Sequence, residues 1–300
     1  MRVFLTGATG FIGSALVPEL IHAGHQVIGL TRSDSGAQSL AAAGAQPHYG
    51  TLENLDSLRA AAAQSDAVIH TAFIHDFSRF QENCAVDRRA IETLGAELAG
   101  SGRTLIVTSG LALLAHGRLA NENDPPVPVS DDYPRASEQT AASFEQQNVR
   151  AMVVRLPQVH DTQRQGLVSY SIQIARQQGA AAYISEGQNR WAAVHRFDAA
   201  RLYRLALEKG HTGARYHAVA EEGVTARAIA EAIARGLNIP AISLTPEQAP
   251  AHFGWLTRFA AMDLTASSAQ TREQLGWNPT GPGLITDLNN MRYAQAEATV

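Results

Sequence analysis

Short apolar runs alternate along the chain with segments whose apolar residues recur at helical spacing. This alternation is typical of a doubly wound α/β domain, a parallel sheet with helices on both faces. The apolar runs predict strands over Met1–Thr6, Gln26–Thr31, Gln46–Tyr49, Asp66–Ala72, Thr104–Ser109, Arg150–Leu156 and Arg215–Val219. The periodic segments predict helices from Ser14 onward and over Ala37–Ala43, Leu55–Ala63, Cys84–Ala99, Ser137–Gln147, Leu167–Gln178, Ala199–Lys209 and Thr225–Ala234.

A glycine-rich turn joins the first predicted strand to the first helix. Glycines let the backbone turn tightly and approach phosphates, and a helix N-terminus directs free N–H groups and a positive dipole end at them. Strand, turn and helix in this order predict a Rossmann-type site for a dinucleotide pyrophosphate; a turn without a ligand is the less favoured interpretation. The predicted contacts are Gly7, Thr9, Gly10, Phe11, Ile12 and Gly13.

The spacing G-x-x-G-x-x-G in TGATGFIG resembles the short-chain dehydrogenase/reductase superfamily, in its extended and atypical branches. These branches are related to sugar-nucleotide epimerases and 3β-hydroxysteroid dehydrogenases. Val194–Ala200 and Leu275–Pro279 resemble two later motifs of the same branches. The resemblance implies a nucleotide-binding domain over residues 1–157. Residues 158–300 are then mainly a small, mostly helical substrate lobe, with a segment at about 190–220 that returns to the first domain.

The resemblance also bears on the choice of cofactor. Relatives that prefer NAD carry an acidic residue at the end of the second strand, where Thr31 stands here, followed by Arg32 and Ser33. A guanidinium suits a 2′-phosphate and a carboxylate repels it, so we expect NADP(H) to be favoured over NAD(H). Asp34 weighs against this, and a solvated Arg32 is the alternative. Other implied cofactor contacts are Leu52, Thr71, Ala72, Phe73 and Pro157.

The hydride chemistry of these relatives uses a Ser or Thr, a Tyr, and a Lys four residues after the Tyr. Tyr133 is the tyrosine in place, but Ser137 follows it by four residues, and a second alignment puts Glu138 at the lysine position. The pattern therefore lacks its cation, and the single lysine of the chain is Lys209. Ser109 lies where relatives carry the serine, so Ser109 and Tyr133 are the predicted catalytic residues.

Several functions stay open. We expect an NADP-dependent oxidoreductase of a small or medium carbonyl-type substrate, with water or one of Tyr133, His75, His160 and His195 as proton donor. A second hypothesis is an activated substrate, such as an enone, imine or quinone, for which positioning of the nicotinamide suffices. A third is a non-catalytic NADP-binding redox sensor. Epimerase or dehydratase chemistry on a sugar nucleotide is less favoured, since it depends most on the missing pair.

Composition narrows the class of protein further. The chain has 300 residues, 45% of them hydrophobic, and a net charge of −4, so we expect a small-molecule substrate and no nucleic acid. A single cysteine, the absence of a leader pattern and the absence of a long apolar run favour a cytoplasmic protein that does not enter a membrane. No metal is expected, because no His or Cys spacing suits zinc. Cys84–Ala99 and Ser137–Gln147 are the expected faces of a possible homodimer.

Overall fold

The structure is a computed structural model that describes residues 1–112, 114 and 117–293. Its strands are β1 Arg2–Thr6, β2 Gln26–Thr31, β3 Gln46–Tyr49, β4 Ala67–His70, β5 Thr104–Gly110, β6 Arg150–Leu156, β7 Gln158–His160, β8 Ala181–Ile184, β9 Arg190–His195, β10 Arg215–His217, β11 Glu221–Thr225 and β12 Ala241–Leu244. Its helices are α1 Gly13–His22, α2 Asp34–Ala42, α3 Leu55–Ala63, α4 Phe80–Leu98, α5 Ser137–Ala142, α6 Leu167–Gln178, α7 Arg196–Lys209, α8 Ala226–Leu237, α9 Ala249–Phe253, α10 Thr257–Ala260, α11 Ala269–Leu275 and α12 Leu284–Asn290.

A seven-stranded sheet with the order β10-β6-β5-β4-β1-β2-β3 forms the centre of the molecule. All of its strand pairs are parallel. The winding direction changes between β1 and β4, and open α/β sheets bind their ligands in the crevice at the carboxyl ends of such a pair. The predicted α/β fold of Rossmann type is therefore confirmed, and the glycine-rich turn after β1 lies at this crevice.

Both faces of the sheet are buried, as in other parallel sheets. Alternation along β1 puts Val3 and Leu5 in one apolar cluster and Phe4 in the other, and all three side chains are fully buried. The first cluster includes Leu16 of α1 and side chains of α7, while the second includes side chains of α3 and α4. The C-terminal part of the chain thus supplies α7 to one face and β10 to one edge of the nucleotide-binding sheet.

The remainder of the C-terminal region forms the lobe. Its helices α6 and α8 were predicted from sequence, and Thr225 caps α8 by accepting a hydrogen bond from Ala228 N–H at 3.2 Å. The helical C-terminal region is confirmed, and it also holds a three-stranded sheet, β11-β9-β7, and the pair β12-β8. The sequence did not predict these strands because they are three to six residues long and lack a clean apolar and polar alternation.

Local backbone geometry explains two of the differences in helix boundaries. Helix α2 begins three residues earlier than predicted because the Ser33 hydroxyl accepts the Gly36 N–H. Helix α5 ends at Ala142 and passes into a short 3₁₀ turn, which the left-handed Asn148 (φ 54°) terminates. None of the helices within the described ranges is both long and apolar enough to cross a bilayer.

Candidate active site

The glycine-rich loop after β1 is folded tightly against the end of β4. Gly7 has φ +69°, and a Cβ there would lie 2.7 Å from Thr71 Oγ1 and 2.8 Å from Ala72 N. A Cβ on Gly13 would clash directly with the Gly7 carbonyl oxygen. The loop therefore requires glycine at both positions, for its turn and for its contact with β4.

The same loop presents donors suited to an anion. The backbone N–H groups of Phe11 and Ile12 make no hydrogen bond within the described part of the chain, and the first turn of α1 carries no acidic residue. The Arg196 guanidinium of α7 lies over the Phe11 ring, with Cζ 5.5 Å from its centroid, and its Nε is 2.9 Å from Asp161 Oδ2. The loop fits a dinucleotide pyrophosphate, and Arg196, which the sequence pattern did not indicate, is a further candidate residue beside it.

Side chains tie β1 to β4 at the crevice. Thr71 Oγ1 donates to the Thr6 carbonyl at 2.8 Å, and the Ala72 N–H donates to Thr6 Oγ1 at 3.3 Å. The Thr6 hydroxyl also meets His70 Nδ1 at 2.8 Å, and His70 Nε2 lies 3.0 Å from Asp87 Oδ1. His70 is 1% exposed, so its ring orders the strand ends and does not reach a substrate.

Asp87 on α4 is the centre of this buried network. Burial opposes its ionisation, but hydrogen bonds and the nearby His70 and Arg135 hold its pKa below the usual range. The Ser137 hydroxyl donates to Asp87 Oδ2 at 2.6 Å, and Arg135 Nε donates to Ser137 Oγ at 3.0 Å. Ser137, at one of the two predicted lysine positions, therefore connects the network to Arg135.

Arg135 provides a cation beside the tyrosine. Its Nη2 donates to the Thr108 carbonyl at 3.1 Å, and its Cζ lies 4.6 Å from the centroid of Phe73. Arg135, Ser109 and Tyr133 line one cleft at the carboxyl end of β5. The sequence pattern indicated no cation for this site, because no lysine stands at the fixed spacing from Tyr133. The available signal was Arg135 itself, between Tyr133 and Ser137.

Tyr133 and Ser109 are thus brought together, as candidates for acting on one substrate oxygen. Ser109 is 5% exposed at the end of β5. Burial raises the pKa of the Tyr133 phenol, while the Arg135 guanidinium acts in the opposite direction. The phenol therefore remains protonated at neutral pH. The other residues that line this cleft are Gly110, Pro126, Val127, Ser137, Glu138 and Gln139.

The negative charge of Glu138, at the alternative lysine position, is neutralised by a buried arginine. Arg155 Nη2 donates to its Oε2 at 2.7 Å, and Arg155 is fully buried. Arg155 Nη1 also lies 3.3 Å from His217 Nε2, and His217 Nδ1 lies 2.9 Å from the Ser267 carbonyl. Burial lowers the pKa of His217 to about 4, with the Arg155 charge adding to the effect, so the imidazole is neutral.

Comparison with known proteins agrees with this arrangement. The model of the NAD dependent epimerase/dehydratase family matches residues 3–220. The chain belongs to this family. The resemblance to the extended and atypical short-chain dehydrogenases/reductases is thereby confirmed, and with it NAD(P) binding.

Relatives of this epimerase/dehydratase-family protein span almost its whole length. An uncharacterised protein of Schizosaccharomyces pombe is 48% identical over 98% of this chain and 100% of the relative. One of Saccharomyces cerevisiae is 42% identical over 96% of this chain and 98% of the relative. The structure of Thermus thermophilus UDP-glucose 4-epimerase in complex with NAD shares the fold, with a TM-score of 0.75 and 20% identity over 99% of this chain and 100% of that one.

The adenosine end of the family's cofactor site corresponds to the end of β2. Arg32 is exposed there and makes no hydrogen bond or ion pair to another described residue. Ser33 caps α2, and Asp34 accepts a hydrogen bond from the Tyr49 hydroxyl at 2.8 Å. Leu52 lies in the apolar cluster that contains Phe4. The roles of Arg32, Ser33 and Leu52 at a nucleotide stay predictions.

The histidines predicted as possible proton donors lie in different parts of the structure. His160 and His195 lie in the lobe around Asp287, whose Oδ2 is 2.7 Å from His160 Nδ1 and 3.7 Å from His195 Nε2. Neither histidine lines the cleft with Tyr133, and the described residues contain no group of three or more side chains able to hold a metal ion. His75 lies against Phe73, with ring centroids 5.4 Å apart. Pro157, the predicted nicotinamide contact, separates β6 from β7.

A row of aromatic rings runs from Phe73, which contacts Arg135, to the lobe. The Arg135 guanidinium lies over the Phe73 ring. The ring centroids of Phe73 and Phe80 are 6.2 Å apart, and Phe77 packs against Phe80. Phe77 stacks on Trp255 of the lobe at 5.3 Å between ring centroids. Tyr170 of α6 meets the same tryptophan edge to face at 4.9 Å. This aromatic bridge, defined by these five rings, joins the two parts of the molecule with an apolar surface.

Proposed function

We propose that this protein is an NADP(H)-dependent reductase of uncharged, largely apolar carbonyl compounds. The observation that carries the proposal is the cleft at the end of β5, which Ser109, Tyr133 and Arg135 line together. Epimerases and dehydratases need a tyrosine that gives and takes a proton repeatedly. A phenol whose pKa is raised by burial suits the single donation of a reductase better.

The cofactor would be held by three parts of the chain. The Gly7–Gly13 loop and the start of α1 would bind the pyrophosphate with backbone N–H groups, and Arg196 would add a cation from α7. Arg32 and the capped N-terminus of α2 would receive a 2′-phosphate. Thr71 and Ala72, which follow β4 and are hydrogen-bonded to Thr6, would contact the nicotinamide end together with Pro157.

When bound, the cofactor supplies a hydride from its nicotinamide. Ser109 would hold the substrate oxygen by a hydrogen bond, and Tyr133 would donate its phenolic proton to that oxygen as the carbonyl becomes an alcohol. Arg135 would stabilise the phenolate left on Tyr133, which is the task of the lysine in relatives, and it is kept in place by Thr108 and Ser137. Solvent then returns the proton to Tyr133.

The aromatic bridge supports an apolar substrate. Phe73 contacts Arg135 of the cleft, and Phe77 and Trp255 continue the row of rings toward the lobe, whereas the only cation that lines the cleft within the described residues is Arg135. A sugar nucleotide would require further cations or hydrogen-bond donors for its diphosphate. We therefore expect aryl or alkyl ketones and aldehydes to be reduced in preference to nucleotide sugars.

The test is a titration with NADPH and NADH, followed by NADPH oxidation with a panel of ketones, aldehydes, enones and UDP-sugars. We expect turnover of an apolar carbonyl and a fall in kcat of about 10²–10⁴-fold in Tyr133→Phe, with the NADPH Kd changed by less than about twofold. Tight NADPH binding without any turnover would overturn the reductase proposal and support the redox-sensor hypothesis. Turnover of a UDP-sugar and of no other substrate would support the hypothesis of epimerase or dehydratase chemistry.

A further inference from the structure

The segment that carries Tyr133 has little regular structure of its own. We call residues 124–138, from Asp124 to Glu138, the tyrosine segment. It contains neither helix nor strand until α5 begins at Ser137, and a backbone turn between Ser130 and Tyr133 lies inside it. The position of the Tyr133 phenol therefore depends on how the ends of this segment are held.

Arg155 of β6 binds both ends of the tyrosine segment. Its Nη2 donates to the Asp124 carbonyl oxygen at 2.9 Å and to Glu138 Oε2 at 2.7 Å. Its Nε donates to Glu138 Oε1 at 3.0 Å. Arg155 is fully buried, and β6 is paired on both sides, with β5 and with β10. A single side chain of the central sheet thus holds the start and the end of the segment.

The anchoring point lies beside the other candidate catalytic residue. Arg155 stands opposite Ser109 in the register of β5 and β6. Neighbouring strands of a sheet lie about 4.8 Å apart. The ends of the tyrosine segment are therefore fixed one strand away from Ser109, the residue that would hold the substrate oxygen.

The shape of the guanidinium matters here as well as its charge. All three of its nitrogens have partners, since Nη1 lies 3.3 Å from the Nε2 atom of His217. Neutralising Glu138 requires only a positive charge, whereas binding the Asp124 carbonyl at the same time requires a planar fork of donors. A lysine has a single ammonium and cannot donate in all of these directions. Arg155 therefore does more than compensate a charge.

We propose that Arg155 is a positioning residue, which clamps the tyrosine segment and thereby sets the distance between Tyr133 and Ser109. The clamp itself follows from the contacts of Arg155, and its effect on catalysis rests on the proposed reductase function. Arg155 is not among the residues that line the cleft, so it acts on the reaction through Tyr133. Misplacement of a reacting group by about 1 Å costs about 10²-fold in rate.

The test is Arg155→Lys, which keeps a positive charge beside Glu138 and removes the fork. Arg150→Lys is the matched control, because Arg150 lies at the other end of β6 and donates to Thr104 Oγ1 and to the Leu207 carbonyl. We expect Arg155→Lys to lower kcat about 10²-fold and to change the KM and the NADPH Kd by less than about threefold. Arg150→Lys should change kcat by less than about twofold. Expressing kcat per NADPH-binding site removes any loss of folded protein from the comparison.

Trypsin gives a second readout that does not need turnover. It cleaves after arginine, and Arg135 lies inside the tyrosine segment. We expect slow cleavage after Arg135 in the wild type and in Arg150→Lys. In Arg155→Lys the cleavage should be about tenfold faster, because the lost hydrogen bonds make local opening easier.

The two readouts separate this proposal from the proposed function. If the wild type reduces no carbonyl compound, the reductase function fails, and cleavage after Arg135 still decides whether the clamp exists. Equal kcat values in the two lysine variants of an active reductase would overturn the positioning role. Unchanged cleavage in Arg155→Lys would overturn the clamp. Rapid cleavage after Arg135 in the folded wild type would overturn it as well, even if Arg155→Lys does not fold.

Discussion

The glycine loop and the cleft at the end of β5 lie at the same edge of one sheet, yet they are built in opposite ways. The loop is made by backbone, since Gly7 and Gly13 leave no room for a Cβ and the donors are main-chain N–H groups. The cleft is made by side chains from separate elements. There Ser137 and Glu138 stand at the two predicted lysine positions, and the cation that lines the cleft is Arg135.

This contrast indicates which kind of site tolerates substitution of its residues. A site made by backbone depends on spacing and on the absence of side chains, so the G-x-x-G-x-x-G pattern survives intact. A site made by side chains depends on where charges and hydroxyls end up in space. Another residue can therefore supply the same charge from another position on the chain.

The strongest test of the loop is Gly13→Ala. The added methyl group would clash with the Gly7 carbonyl, so we expect no measurable NADPH binding and a lower melting temperature. Gly10→Ala is the matched control, because its Cβ would lie 3.1 Å from the same oxygen and needs only a small adjustment. Equal losses of binding in the two variants, measured by calorimetry, would show that the tight turn around Gly7 is not what binding requires.

The cleft is tested by replacing its cation. Arg135→Leu should lower kcat for carbonyl reduction on the order of 10²–10³-fold, because the phenolate of Tyr133 would lose its stabilising charge. Arg135→Lys should recover part of this loss, whereas a merely structural role would not be rescued by charge. The pH profile gives a second readout, since the pKa of Tyr133 should rise further without the guanidinium. Unchanged kcat in Arg135→Leu would contradict the assignment.

The buried charges behind the cleft predict a pH dependence of stability. The pKa of His217 is lowered to about 4 in the folded protein from 6.5, so the folded state binds fewer protons than the unfolded state in this range. Its contribution is complete above pH 6.5 and is lost as pH falls toward 4, by on the order of 3 kcal/mol. His217→Gln should flatten this part of the curve of unfolding free energy against pH. Parallel curves for the two proteins would mean that His217 does not titrate in this way.

The smallest expected effect concerns cofactor choice at the end of β2. Arg32→Ala should weaken NADPH binding about tenfold and leave NADH binding within about twofold, because only NADPH carries the 2′-phosphate. Arg59→Ala, at a surface position on α3, is a control for general loss of positive charge. Equal weakening of both nucleotides by Arg32→Ala would show that Arg32 does not recognise the phosphate.

Predictions from sequence were accurate for features that depend on local patterns and failed for features that depend on partners distant in sequence. The strands Gln26–Thr31 and Arg150–Leu156 were predicted with their observed bounds, because buried parallel strands are largely apolar. The bounds of the edge strand Gln46–Tyr49 were also predicted, although this strand is neither apolar nor buried. The lobe strands β7–β9, β11 and β12 were missed, since their pairing depends on partners distant in sequence. For the same reason the link from His70 through Asp87 to Ser137 could not be foreseen.

The nucleotide loop, the α/β fold and the lack of the Tyr and Lys pair follow from the order of residues, since all three are local patterns of glycine spacing, apolar runs and residue identity. The packing of distant elements was needed to show that Arg135 lies beside Tyr133 and that Arg155 neutralises Glu138. Charge and hydrogen bonding act through space over a few ångströms. Their partners are therefore set by how the elements pack, and the order of residues along the chain does not specify them.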